Sequence, residues 1–292
     1  MVIRKRTSHH ARAVVTGAGS GIGRAFAVEL ARRGGRVVAS DVDLASAQRT
    51  VDAIAEGGGE AVAVACDVRE LDQVVALADE VASWLGAPPT LVINNAGVGA
   101  GGQVVGDVPI EDWRWTLDVN LWGPIHGCHV FAPILREAGR GGIINVASAA
   151  SFGAAPRMAA YNVSKAGVLS LSETLAAELA GSGVRVSVLC PTFVRTDIVA
   201  NGRITGGATA AADRLMWLTG MSPAKVARIC LDAHDRGALH VMPQIDAKVG
   251  WQIKRSLPHT YTRFAGLLER IGAIPEDEPQ RTPTDLSTTK GH

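Results

Sequence analysis

Short, unbroken apolar runs alternate along this chain with longer segments in which apolar residues recur every three or four positions. The runs are Ala13-Val14-Val15-Thr16, Arg36 to Asp41, Ala61 to Ala65, Thr90 to Asn94, Ile143 to Ala147 and Val184 to Leu189. Runs this short, without polar alternation, predict strands buried on both faces. Helical spacing marks Ile22 to Arg33, residues 44–56, 71–85 and 110–138, the segment holding Tyr161 as far as Ala180, and Ser222-Pro223 to Asp235. Gly34-Gly35, Gly57-Gly58-Gly59, Gly86 and Pro88-Pro89 stand where helices should stop. Regular strand–helix alternation predicts an α/β architecture with a parallel sheet and helices on both faces.

The pattern loosens elsewhere. Residues 1–10 read as a flexible basic arm. Residues 11–250 hold the alternation without repeat or linker, so one domain is expected. Within it, Phe193 to Gly220 is rich in glycine and alanine and reads as a mobile segment of the kind that covers a ligand. His240 to Pro243 resembles a last edge strand, residues 251–274 a helical extension, and residues 275–292 a disordered tail rich in proline, threonine and acids.

Composition narrows the classes. Over 292 residues, 47% are apolar and 20% charged, enough for a sizeable core. A formal net charge of +1 makes no case for nucleic acid. Four scattered cysteines, at 66, 128, 190 and 230, suggest neither a disulfide framework nor a zinc set, and fit free thiols in a reducing cytoplasm. No run reaches the roughly 18 apolar residues of a membrane span, and no apolar stretch follows Arg4-Lys5-Arg6 to make a secretory signal. His126 and His129 share a helix, but no further ligand completes a metal set, so no metal is expected.

The candidate chemistry begins at Thr16-Gly17-Ala18-Gly19-Ser20-Gly21-Ile22-Gly23, between the first strand and the first helix. A sharp strand-to-helix turn needs glycine, a pyrophosphate must approach the backbone closely, and the helix start offers free N–H groups. Gly17, Ser20, Gly21, Ile22 and Gly23 are the candidate contacts. Asp41 ends the second strand eighteen residues beyond Gly23. An acid there either bonds the adenosine ribose, which favours NAD over NADP, or caps a turn. Arg24 and Arg36 are close enough in sequence to oppose that preference. Asp67 either accepts the adenine amino group or caps the next helix, with Val68 packing on the ring. Asn94-Asn95-Ala96-Gly97 ends the fourth strand; small residues there let the chain pass beneath a cofactor, and the asparagine amides brace neighbouring strands. Tyr161 and Lys165, four apart, share one helix face, with Ser148 thirteen residues upstream. An ammonium beside a phenol favours the phenolate and makes tyrosine a usable acid or base.

In this order, Thr16 to Gly23, Asn94 to Gly97, Asn120, Ser148 and Tyr161-Asn162-Val163-Ser164-Lys165 resemble the short-chain dehydrogenase/reductase family, in its single-domain NAD(P)-dependent subgroup. The resemblance covers residues 10–245. It implies a Rossmann-type doubly wound sheet and hydride transfer between NAD(H) and a secondary alcohol or ketone, with Tyr161 as general acid or base. Lys165 would hold the nicotinamide ribose, Ser148 would bond the substrate oxygen, and Asn120 would anchor a proton-relaying water. Pro191-Thr192 departs from the family's Pro-Gly, and Thr196 matches a cofactor-contacting threonine. The family also implies a homodimer or homotetramer built on the Tyr161 helix and the one before it.

Pocket borders are expected at Val98 to Asp107, Ala149 to Ala160 and Phe193 to Gly220, with Val104, Val105, Phe152, Met158, Met216 and Trp217. Few charges lie there, which points to an apolar alcohol or ketone, cyclic ones included. Two alternatives stay open: an NAD-sensing regulator without turnover, and an isomerase or dehydratase that uses NAD transiently.

Overall fold

The apolar runs become strands because both of their faces find cover. A computed structural model describes residues 6–196, 198, 202–205 and 220–270. Strands β1 (Arg12–Thr16), β2 (Arg36–Asp41), β3 (Glu60–Ala65), β4 (Leu91–Asn94), β6 (Gly141–Val146), β7 (Val184–Leu189) and β9 (His240–Val241) form one sheet in the order 3-2-1-4-6-7-9. Every pairing in it is parallel. A two-stranded parallel pair, β5 (Ala100–Gly101) with β8 (Arg203–Ile204), stands apart from that sheet.

Alternate residues of one run serve opposite layers, as the two-residue period of a strand requires. Val15, Ile93 and Ile144 pack with Phe26 and Leu30 of α1 (Gly21–Arg32), Ile54 of α2 (Leu44–Glu56) and Cys230 and Leu231 of α8 (Pro223–Asp235). Their neighbours Val14, Val92 and Ile143 pack with Val74, Leu77 and Val81 of α3 (Leu71–Leu85), Phe131 and Leu135 of α5 (Gly123–Glu137) and Leu175 of α7 (Ala159–Glu178). Burying each of the larger side chains stabilises the fold by roughly 1.5–3 kcal/mol. The doubly wound α/β sheet expected from the alternation is the observed one.

Two expected helices differ in detail. The stretch 110–138 is α4 (Ile110–Leu117), a π-helical turn (Asp118–Trp122) and α5. The C-terminal helix starts earlier than residue 251 and is broken: α9 (Ile245–Ser256) and α10 (Pro258–Arg270) meet at Leu257-Pro258, where proline disfavours helix in the residue before it. A short helix, α6 (Ala150–Gly153), precedes α7. In the stretch expected as an arm, Thr7 and Ser8 hydrogen-bond Asp235. Met216, Trp217 and most of the segment expected to be mobile lie outside the described residues.

One buried base gives the fold an acid sensitivity. His234 is fully buried; its Nδ1 lies 2.8 Å from Ser187 Oγ, which donates to the Ala238 carbonyl. Burial pushes its pKa down from 6.5 to about 4. The unfolded chain therefore binds the extra proton first, so stability falls as pH drops from 6.5 toward 4. The loss should reach about 3 kcal/mol, since each pH unit across that window contributes roughly 1.4 kcal/mol. Urea midpoints measured across that range should fall with pH for the native chain and fall less steeply for His234→Gln.

Candidate active site

The winding of the sheet reverses between β1 and β4. A crevice opens there, beyond the strands' carboxyl ends, which is where ligands bind in open parallel sheets. The glycine loop follows β1 and Asn95-Ala96-Gly97 follows β4, so the topology brings them to the two lips of that crevice.

The loop is built around the space its glycines leave. Gly17 and Gly21 have φ of +63° and +52°, the left-handed region that disfavours other residues. A Cβ at Gly23 would stand 2.0 Å from the Gly17 carbonyl oxygen, and one at Gly19 would stand 2.8 Å from Asp41 Oδ2. Ser20 precedes α1 without capping it through its side chain, so the first N–H groups of the helix could meet an anion. Ile22 lies half-buried in the first turn. Thr196 closes over the same point: its Cγ2 would be 3.1 Å from a Cβ at Gly21. These residues fit a dinucleotide pyrophosphate.

The crevice walls are braced by residues the sequence motifs only partly single out. Thr16 Oγ1 accepts the N–H groups of Asn95 (3.0 Å) and Ala96 (3.2 Å). Asn95 Nδ2 returns to the carbonyls of Thr16 (2.9 Å) and Gly17 (3.1 Å). Asn94, by contrast, turns away from the crevice into the core. Its amide donates to Asn145 Oδ1 at 2.8 Å, beside Cys128. Asn95 and Thr16, not Asn94, therefore hold the loop in shape. The signal is present in the sequence as polar residues ending two strands, but only strand adjacency aims them at each other.

Asp41 does more than cap a turn. Its carboxylate accepts the Gly19 N–H (2.9 Å) and the Asp43 N–H (3.1 Å), which joins β2 to the glycine loop. Arg36 is removed from this end of the strand. It pairs with Glu60, bonds the Trp84 and Leu85 carbonyls and stacks on Trp84. Asp67 is gripped by Arg69 through both backbone and side chain, which holds its carboxyl below the usual range. The helix-cap alternative for Asp67 falls away, because Glu70 occupies that position in α3. Val68 is buried against Gly123, and its carbonyl lies 2.9 Å from His126 Nδ1.

The π-helical turn explains how an asparagine can point inward from a helix. Asn120 is fully buried there, accepting the Val98 N–H at 2.7 Å and donating to the Val98 carbonyl at 2.9 Å. Its Nδ2 is also 3.4 Å from Ser164 Oγ on α7. A Cβ added at Gly97 would lie 3.1 Å from Asn120 Oδ1 and 3.3 Å from Lys165 Nζ. Asn120, Lys165 and the β4 lip thus converge on one point.

Ser148 follows β6, and Tyr161 and Lys165 stand on adjacent turns of α7. The Ser148 hydroxyl accepts the Ala150 N–H at 3.1 Å and is within 3.5 Å of the Pro191 carbonyl. Lys165 is buried, donates to the Val146 carbonyl at 3.1 Å, and has its Nζ 5.8 Å from the centre of the Tyr161 ring. Burial brings this ammonium down from 10.5 to about 8. The phenol differs from the sequence expectation. Burial holds Tyr161 above its ordinary value, and the opposing pull comes from a hydrogen bond to Ser148, not from Lys165. Desolvation of a side chain lodged under the crevice outweighs an ammonium that faces the Val146 carbonyl.

Beside the β5–β8 pair, a small pocket is lined by Ala100, Met158 and Ala160 together with Asp112, Arg157 and Arg203. Arg203 clips the β5–β8 pair to Asp112 (2.6 Å) and stacks over Trp115. Phe152 is buried edge-on against Trp251, whereas Val104 and Val105 are exposed. Thr192, which replaces the expected glycine, bonds Gln244 and Asp246 and so ties this loop to the start of α9.

A family model described as short chain dehydrogenase matches residues 11–205. The chain belongs to that family. Among curated relatives it is 37% identical over 265 residues to "Probable oxidoreductase EphD" of Mycobacterium tuberculosis (strain ATCC 25618 / H37Rv), covering 87% of this chain and 44% of that protein. It thus spans less than half the length of that relative. It is 36% identical over 188 residues to the cyclohexanol dehydrogenase of Acinetobacter sp. (strain SE19), covering 64% of this chain and 74% of the other. Among solved structures, a short chain dehydrogenase/reductase from Burkholderia phymatum in complex with NAD matches with a TM-score of 0.77. That pair is 35% identical, covering 91% of this chain and 96% of that one. A match of that extent takes in the parallel sheet whose crevice the glycine loop and the β4 lip frame here.

Proposed function

We propose that this chain interconverts a secondary alcohol and its ketone with NAD(H), using Tyr161 as the proton carrier. The observation that supports it most is the convergence of Lys165 and Asn120 on Gly97 at the crevice, with Tyr161 one turn before Lys165 on α7 and Ser148 just beyond β6. NAD, when bound along the glycine loop, supplies the acceptor or donor of hydride. The chain's residues do the rest. Ser148 donates to the substrate oxygen and steadies charge developing on it. Tyr161 takes the hydroxyl proton in oxidation and returns it in reduction. Lys165, with a pKa of about 8, is mostly ammonium at neutral pH and serves the ribose side of the nicotinamide half. Asn120, fixed to Val98 at both ends of its amide, anchors the route by which that proton leaves.

NAD is favoured over NADP because Asp41 presents a carboxylate at the end of β2 and repels a phosphate there. Asp41→Ala should weaken NADH binding about tenfold and narrow the preference over NADPH, read by fluorescence titration of both. An unchanged preference would remove the assignment. The substrate is an apolar, cyclic secondary alcohol on this reading, because the Ala149 to Ala160 border offers Met158 and Ala160, with Arg157 held by Glu269; cyclohexanol is a fitting first probe, given the relative named for it. NADH formation across a panel of alcohols tests this. Turnover of phosphorylated sugars with none of lipophilic alcohols would reject the substrate class.

A further inference from the structure

The outer faces of α9 and α10 depart from an ordinary surface helix. On α9, Ala247 and Trp251 turn inward, Trp251 lying edge-on to Phe152 at 5.0 Å. The opposite face should be polar. It carries Ile245, Val249 and Ile253 at four-residue steps, with Leu257 next, and each is between 45% and 77% exposed. On α10, Phe264 and Leu267 are 59% and 53% exposed.

Charge is divided in a matching way. Lys248, Lys254, Arg255, Arg263 and Arg270 lie along the pair, against two acids, Asp246 and Glu269. Both acids are engaged with the body of the domain: Asp246 accepts from Thr192 at 3.3 Å, and Glu269 accepts from Arg157 at 2.5 Å. The outward face is therefore apolar and cationic together. No helix among the described residues is long and apolar enough to cross a membrane.

We propose that α9 and α10 seat this protein on the surface of an anionic lipid bilayer. Apolar side chains enter the acyl boundary while lysine and arginine meet lipid phosphates, as in helices that lie in the interface plane. The charge pattern selects lipid over a second copy of this chain, since two copies meeting through this face would set like charges against each other. The seat adjoins the substrate side: Glu269 holds Arg157, and Tyr261 Oη would be 3.7 Å from a Cβ at Gly153, both in the Ala149 to Ala160 border. An apolar substrate dissolved in lipid would then approach the Ala149 to Ala160 border directly; that consequence rests on the substrate reading above, whereas docking does not.

The test is co-sedimentation of the full chain with vesicles of phosphatidylcholine alone or mixed with phosphatidylglycerol, read as bound protein without any turnover. Wild type should sediment with the anionic vesicles, less so as salt rises. Lys248→Glu with Arg255→Glu, and separately Ile253→Glu, should each weaken that partition about tenfold or more. Both variants should keep the native circular dichroism and NADH affinity. Wild type left in the supernatant overturns the proposal. So does equal binding by the variants, or light scattering in which Ile253→Glu splits an oligomer, which would make the face a contact between copies.

Discussion

Tyr161→Phe should lower alcohol oxidation about a thousandfold, within the range that a positioned acid or base contributes. NADH binding should hardly change. The substitution removes one oxygen from a half-buried ring and leaves the ring's packing, the Lys165 bond to Val146 and the Asn120 bonds to Val98 in place. Stopped-flow or steady-state NADH formation, with a parallel fluorescence titration, separates the two effects. Loss of both together would mean that the phenol is structural.

Much of this site is legible in the amino-acid sequence. The glycine loop, the Asn94 to Gly97 turn and the Tyr161 to Lys165 step depend on spacing along one chain, and a strand–helix unit converts such spacing into geometry directly. The parallel, doubly wound sheet follows from the same alternation. Three features are not legible, because each depends on how the chain packs or winds once folded. Asn94 and Asn95 are adjacent residues of the same type, yet one braces the core through Asn145 and the other clamps the Gly17 carbonyl. Pleating sends neighbours to opposite sides, and sequence alone does not say which is which. The π-helical turn at Asn120 adds one residue to a helical repeat without any change in composition. A four-residue step predicts that Lys165 acts on Tyr161, but desolvation depends on burial, which belongs to the folded crevice.

Lys165→Met should abolish turnover and make the ligand-free protein more stable. The folded protein holds this ammonium at about 8, against 10.5 for an ordinary lysine. The unfolded chain binds the proton more tightly, so at neutral pH the buried charge costs about 3 kcal/mol, at roughly 1.4 kcal/mol for each pH unit between the two values. Methionine fills a similar volume without charge. The Val146 carbonyl loses a donor, which offsets roughly 1 kcal/mol. A net gain of about 2 kcal/mol would raise the melting temperature by several degrees. The sign can be checked through pH. As pH rises from 8 toward 10.5 the native lysine loses its proton and its penalty, so the advantage of the variant should shrink over that window. Calorimetry of both proteins across it reads this directly. A less stable variant at neutral pH would indicate that the ammonium is compensated by partners beyond Val146.

The proton carried by Tyr161 is the claim on which the mechanism turns, and the pH dependence of kcat/KM for oxidation of a secondary alcohol examines it most directly. Burial places the phenol above its ordinary value, so oxidation, which needs the deprotonated form, should rise with pH through the alkaline range. Ketone reduction should fall over the same range, and Tyr161→Phe should lose the rising limb altogether. A flat profile for the native enzyme, or the same rising limb in the phenylalanine variant, would contradict it.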